Sequence, residues 1–341
     1  MNIKALAPKL KFAYGRKHPI NYKLCIDALK RSDIAKDYAG QNTTIIDAYP
    51  GAGVWSSALH EIVKPTKHIL LEPAPKLVKL LEDNVTPASL ASGNVVIKPE
   101  DPFRWGTFTS LVNDKVYEPV KFTDRSRIHP NILYTANLTS IQGEQLCFQY
   151  LNCAMNQSWL QSYGRVRMLF WIRHSTAQKL LARAGSKFRG RVSVQAETCT
   201  ESRLLVGSSL HDDATSDVLG AGADLPLHEP KDFYPEATKT TQFALVQIDP
   251  REKPVEHIDY FEYVIRTLFI LKSRPLHEAI SILGPGASQD LIPKITDAAL
   301  LERAPTEMTV EDFATVTRVF AMWPFKPDIL HDFYDDDMAP S

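Results

Sequence analysis

Three strand-to-helix turns carry side chains that suit a nucleoside. The strand-like run 43–48 (TTIIDA) leads into Asp47-Ala48-Tyr49-Pro50-Gly51-Ala52-Gly53. Glycines in such a turn let backbone approach a nucleoside or its tail, and the N-terminus of the helix that follows is electropositive. Taken alone, Gly51 and Gly53 fit a plain tight turn better than a ligand loop. Glu72 closes the next strand about twenty residues later, where nucleotide-binding folds place a carboxylate against the ribose hydroxyls. Asp101, after the third strand, can accept from an adenine amino group; it also suits a helix N-cap before Pro102. Each position alone is ambiguous. Together, in chain order and at successive strand ends, they outline a nucleoside-cofactor pocket.

Those positions require a scaffold of alternating strands and helices. Strand-like runs fall at 43–48, 68–71, 94–98, 131–136 and 167–172, with helical patterns at 54–62 and 75–84. Strands alternating with helices imply an α/β fold with a mostly parallel sheet and right-handed crossovers. Runs at 192–196 and 243–248 are expected to close the sheet with an antiparallel edge. Residues 207–235, rich in Gly, Asp, Ser and Pro, read as a long acidic loop. After Pro250 the pattern becomes helical (258–272, 276–283, 295–303, 309–322), with Thr309 as the cap of the last helix. The expected organisation is 1–250, 251–330 and an acidic tail, 331–341.

The 341 residues suit one large domain plus a small one, and 44% hydrophobic content is ordinary for a globular protein with a substantial core. No apolar run reaches the ~20 residues a bilayer requires, so no membrane partner is expected. Net charge is only −1, but its distribution is uneven. Between Gln145 and Ala196 there is no acid, and the stretch carries Arg165, Arg167, Arg173, Lys179, Arg183, Lys187, Arg189 and Arg191. Residues 197–262 hold fourteen acids against five Lys or Arg. Such a basic stripe is either a phosphate footprint or a solvated face. The four cysteines have no Cys-x-x-Cys spacing and no nearby His; a zinc site is not expected, and buried thiols in a reducing compartment fit. The first 26 residues are acid-free and basic. That suits mitochondrial import or a basic arm.

Several segments carry a family resemblance. The run 180–194 (LLARAGSKFRGRVSV), the Asp232-Phe233-Tyr234-Pro235 segment before 243–248, and the runs 263–269 and 309–313 resemble signatures of the ribosomal-RNA adenine-N6 dimethyltransferases. The segments 10–15 (LKFAYG), 101–105 (DPFRW) and 322–330 (MWPFKPDIL) are similar to the fungal mitochondrial transcription factor B branch, the specificity factors of the mitochondrial RNA polymerase. The resemblance implies a Rossmann-like S-adenosylmethionine-methyltransferase fold with a small helical C-terminal domain. It assigns Pro19, Gly51, Gly53, Glu72, Asp101 and Asn137 to the cofactor site.

The resemblance also exposes departures. In the family, methyl transfer to a flipped adenine uses Asn-Leu followed by a proline and an aromatic ring. Here the segment reads Asn137-Leu138-Thr139-Ser140. A lost stacking platform costs ~1–3 kcal/mol per base, and lost oriented acceptors on the order of 3 kcal/mol more. Tyr49 stands where the family has a glycine, and its ring is expected to crowd a cofactor. The family's lid is reduced to Gly15-Arg16-Lys17-His18-Pro19. The chain is therefore expected to have no catalytic residues, to need no cofactor or metal, and to keep at most a vestigial S-adenosylmethionine pocket. Phe103 and Trp105 are candidates for holding an unpaired base, and Lys179, Arg183, Lys187, Arg189 and Arg191 for holding phosphates. The expected role is that of a monomeric initiation factor in the mitochondrial matrix. It would bind the mitochondrial RNA polymerase, recognise the promoter and hold its melted non-template strand. An active mitochondrial rRNA adenine dimethyltransferase and a general RNA-binding scaffold are the alternatives.

Overall fold

The computed structural model describes residues 11–210, 224–253 and 255–328. The first ten residues, residues 211–223 of the acidic loop and the 331–341 tail lie outside the described residues. The strands are β1 (His18–Pro19), β2 (Thr44–Ala48), β3 (Lys67–Leu71), β4 (Val95–Lys98), β5 (Ile128–Leu138), β6 (Arg165–Arg173), β7 (Thr200–Ser208), β8 (Leu227–His228), β9 (Phe233–Tyr234) and β10 (Phe243–Pro250). Eight of them form one sheet in the order β4-β3-β2-β5-β6-β10-β7-β8, while β1 pairs with β9 apart from it. From β4 to β6 all pairings are parallel. β10 runs antiparallel to both β6 and β7.

Alternation along the strands explains why both faces are covered. Ile46, Ile69, Tyr134 and Phe170 pack into one apolar cluster, and their neighbours Ile45, Leu70, Leu133 and Leu169 pack into the other. Successive strand side chains point to opposite faces, so near-continuous apolar runs build two cores at once. The first cluster continues into the C-terminal helices through Phe261, Val264, Phe313, Phe320 and Trp323. The capping expected at Thr309 is present: its hydroxyl accepts from the Asp312 N–H at 3.2 Å. No described helix is long and apolar enough to cross a membrane. All four cysteines are buried and free, and burial holds the Cys147 and Cys199 thiols up at about 12.

One expected element is of the wrong type. Residues 192–196 are helical, inside Arg191–Cys199, and the strand at that place in the sheet is β7. The short alternation Val192, Val194, Ala196 mimics a strand. Val194, Ala196 and Cys199 instead lie against one core cluster, and tertiary burial overrides β propensity.

A candidate cofactor pocket filled from within

The strand order reverses between β2 and β5, so the crevice at the carboxyl ends of β2, β3, β4 and β5 is where a doubly wound sheet binds ligands. Glu72, Asp101 and Asn137 gather there, in contact with Arg16, Tyr49 and Lys17. Backbone geometry after β2 is special: Tyr49, Gly51 and Gly53 have φ of 59°, 56° and 74°. Glycine adopts that region without penalty, and a tyrosine there is uncommon. A Cβ on Gly51 would overlap the imidazole of His18. The space that this glycine opens is taken by the chain's own N-terminal segment.

The same segment engages Glu72. Arg16 donates from Nη2 to Oε1 at 2.6 Å and from Nη1 to Oε2 at 3.0 Å. The backbone N–H groups of Gly51 and Ala74 donate to the same carboxylate at 3.1 and 3.0 Å. Four donors saturate a carboxylate. While Arg16 is in place, Glu72 has no free acceptor site for a further donor.

Asp101 is also engaged. Tyr49 donates its phenol proton to Asp101 Oδ1 at 2.6 Å, and the Phe103 N–H reaches the same oxygen at 3.0 Å. Burial first, and then the Asp101 hydrogen bond, raise the Tyr49 phenol pKa, so it stays a donor. The Arg16 guanidinium lies 4.7 Å from the Tyr49 ring centroid, a cation–π contact. The helix cap expected at Asp101 is displaced: the helix is Trp105–Asn113, with Arg104 at its N-cap.

Asn137 and Thr139 clamp the segment from the β5 side. Asn137 Nδ2 donates to the Lys17 carbonyl at 2.9 Å. The Thr139 hydroxyl accepts from the Lys17 N–H at 2.9 Å and gives its one proton to Asn137 Oδ1 at 2.7 Å. A proline in that place offers no hydroxyl. Thr139 therefore supplies a function here and is more than a lost catalytic part. Ser140 accepts from the Gly143 N–H at 3.1 Å at the start of helix Gly143–Met155. Pro19 completes the anchoring, since β1 pairs with β9 as His18 with Tyr234 and Pro19 with Phe233. The position of Arg16 was missed by sequence reading. Its only signal was a charged residue inside a shortened lid.

The candidate nucleic-acid residues separate by burial. Phe103 is exposed, while Trp105 is half-buried, its ring edge-on to Tyr150 and Trp159 at 6.2 and 5.6 Å. Lys179, Arg183, Lys187 and Arg191 are exposed. Lys179 pairs with Glu144 at 2.8 Å and Arg183 with Glu197 at 3.7 Å. Arg189 departs from the expected stripe. It is 2% exposed and donates to the Ala182 and Met308 carbonyls and to Glu197. Its role is to tie the stripe to the C-terminal helices. Arg167 is likewise buried between Asp37 and Asp249.

The ribosomal RNA adenine dimethylase family model matches residues 7–318. The chain belongs to that family. Family membership accounts for the sheet order. Two of its relatives are fungal proteins named mitochondrial transcription factor 1. The one from Lachancea kluyveri is 34% identical, covering 96% of this chain and 95% of the relative. The one from Saccharomyces cerevisiae is 33% identical, covering 96% and 94%. These names mark the family member described here as mitochondrial. A mitochondrial dimethyladenosine transferase 1 from Vermamoeba vermiformis is 22% identical over 62% of this chain and 56% of that protein. Among solved structures, a Plasmodium falciparum dimethyladenosine transferase superposes with a TM-score of 0.57 at 13% identity, covering 88% of this chain and 94% of that one, which shows the shared fold.

Proposed function

We propose that this chain is a non-catalytic transcription initiation factor of the mitochondrial matrix. It binds the mitochondrial RNA polymerase as a monomer, contributes promoter recognition and holds melted promoter DNA, chiefly the non-template strand. The names of the two fungal relatives support the transcriptional half of this reading. One observation supports the non-catalytic half: the Glu72 carboxylate, the position the resemblance gives to the cofactor ribose, is saturated by Arg16 and two backbone donors. The chain therefore needs no cofactor.

Opening promoter DNA costs ~1.4 kcal/mol per base-pair step, and one stacked base returns ~1–3 kcal/mol. Phe103, Trp105 and the exposed cations Lys179, Arg183, Lys187 and Arg191 supply the stacking and phosphate contacts. Run-off transcription from a mitochondrial promoter, with purified polymerase and with or without this chain, is the test. Stimulation that depends on promoter sequence is expected, and its absence removes the reading. With 2-aminopurine in the melted region, Trp105→Ala is expected to lower the fluorescence gain on opening.

The alternative is an active rRNA adenine-N6 dimethyltransferase, favoured by the retention of Glu72, Asp101 and Asn137. It requires the 13–19 segment to leave the pocket. Equilibrium dialysis with labelled S-adenosylmethionine discriminates: no saturable binding is expected, and binding with methylation of a small-subunit RNA hairpin reverses the choice.

A further inference from the structure

The arm 11–14 does something that the pocket alone does not require. Tyr14 and Gly15, both with positive φ (50° and 73°), turn the chain sharply so that Arg16 enters the pocket. The residues before the turn stay outside. Phe12 and Tyr14 are 41% and 47% exposed, with ring centroids 6.3 Å apart. The Lys76 ammonium lies 3.7 Å from the centroid of the Phe12 ring. Lys11 and Lys76 are exposed, and neither pairs with a carboxylate among the described residues. Exposed Arg104 is likewise unpaired, and it sits beside exposed Phe103.

These two groups are linked by direct contacts. Arg16 stacks on Tyr49, Tyr49 bonds Asp101, and Asp101 bonds the Phe103 N–H. The arm thus enters the pocket rim on the side where Phe103 stands. Paired exposed rings interleaved with unpaired cations are the composition of a single-strand binding surface, where bases stack on rings and cations hold phosphates. Basic or purely apolar partners fit less well, since the rings are interleaved with Lys and Arg and no acid lies among residues 10–19.

We infer that Phe12 and Tyr14, with Lys11 and Lys76, form a second binding surface for single-stranded DNA, with one unpaired base stacked on the rings and its flanking phosphates on the lysines. The buried Arg16–Glu72 pair is the anchor that fixes this arm. In the proposed function, which this inference deepens, the surface takes a base of the melted strand.

The test is binding of the full chain to a single-stranded oligodeoxynucleotide carrying one 2-aminopurine, read by anisotropy and by quenching. Phe12→Ala/Tyr14→Ala is expected to weaken binding about tenfold and to reduce quenching, while Phe12→Tyr/Tyr14→Phe stays near wild type. Both rings are exposed, so the thermal midpoint of the alanine pair is expected to hold, which separates this effect from misfolding. Lys76→Ala is expected to flatten the salt dependence. Three results overturn the inference: wild type binds no single-stranded DNA, the alanine pair binds and quenches like wild type, or single-stranded RNA binds more tightly than DNA and only its binding responds to the alanine pair. Run-off transcription separates the two readings. If wild type stimulates the polymerase and the alanine pair binds and quenches like wild type, only this surface is lost. If wild type gives no stimulation, the initiation-factor reading falls and the oligonucleotide assay still decides the surface.

Discussion

Arg16 and Glu72, separated by 56 residues in sequence, face each other as a buried two-point ion pair with N···O distances of 2.6 and 3.0 Å. Arg16 is 6% exposed and Glu72 is fully buried. The carboxylate that the family resemblance gives to a ribose is thus taken up by an internal contact. Two further contacts hold the same segment: the Arg16 guanidinium lies over the Tyr49 ring, and the Lys17 N–H donates to the Thr139 hydroxyl.

Removing the cation leaves a carboxylate buried beside only two backbone donors. Arg16→Ala is expected to cost ~3–5 kcal/mol in urea unfolding, as for other broken buried pairs. Arg16→Met/Glu72→Gln removes both charges and is expected to recover much of that loss. Equal destabilisation of the single and double variants would show that packing, and not the charge pair, anchors the segment.

Thr139→Val keeps the side-chain shape and removes the hydroxyl. The Lys17 N–H then lacks its acceptor and Asn137 Oδ1 loses its closest donor, for an expected loss of ~1–3 kcal/mol. Amide exchange at Lys17 is the direct readout: it is expected to accelerate while β5 stays protected. Unchanged exchange at Lys17 would refute the clamp.

Within the basic stripe, the buried and exposed cations are expected to behave oppositely. Arg189→Ala removes a buried guanidinium bonded to Ala182, Met308 and Glu197 and is expected to be strongly destabilising, by ~3 kcal/mol or more. Lys187→Ala and Arg191→Ala are expected to change stability by less than ~0.5 kcal/mol. If they touch DNA phosphates, each lowers the salt slope of DNA binding by about one. Unfolding curves and binding at a series of salt concentrations check both halves.

Acid is expected to loosen the pocket through His18. Burial first, and the Arg16 charge second, push its pKa down to about 3 from an ordinary 6.5. Its folded pKa lies below its unfolded one, so the unfolded chain binds the proton more readily. Stability is therefore complete above about pH 6.5 and falls as pH drops towards 3, with a slope approaching ~1.4 kcal/mol per pH unit for each such histidine. His60, also held down to about 3, adds to the slope. His18→Phe is expected to reduce the slope without abolishing it. An unchanged profile would mean that His18 is not protonated on unfolding in this range.

The sequence by itself determined the alternation of strands and helices as far as β6, the glycine turn after β2, the acids at successive strand ends and the loss of the proline and ring after Asn137. Apolar periodicity and turn chemistry are local, so neighbours in sequence reveal them. Only the tertiary structure decided what those residues touch. The acid-free stretch 145–196 looked uniformly available for phosphate, yet Arg167 and Arg189 are buried against Asp37, Asp249 and Glu197 from outside it. Residues 192–196 alternate like a strand, yet core packing makes them helical. Glu72 and Asn137 are legible in the sequence as polar residues at strand ends, but their partners are not. What the carboxylate binds depends on the cation that reaches it through space, and Arg16 reaches Glu72 only because the chain turns at Tyr14 and Gly15 and Thr139 holds Lys17 in place.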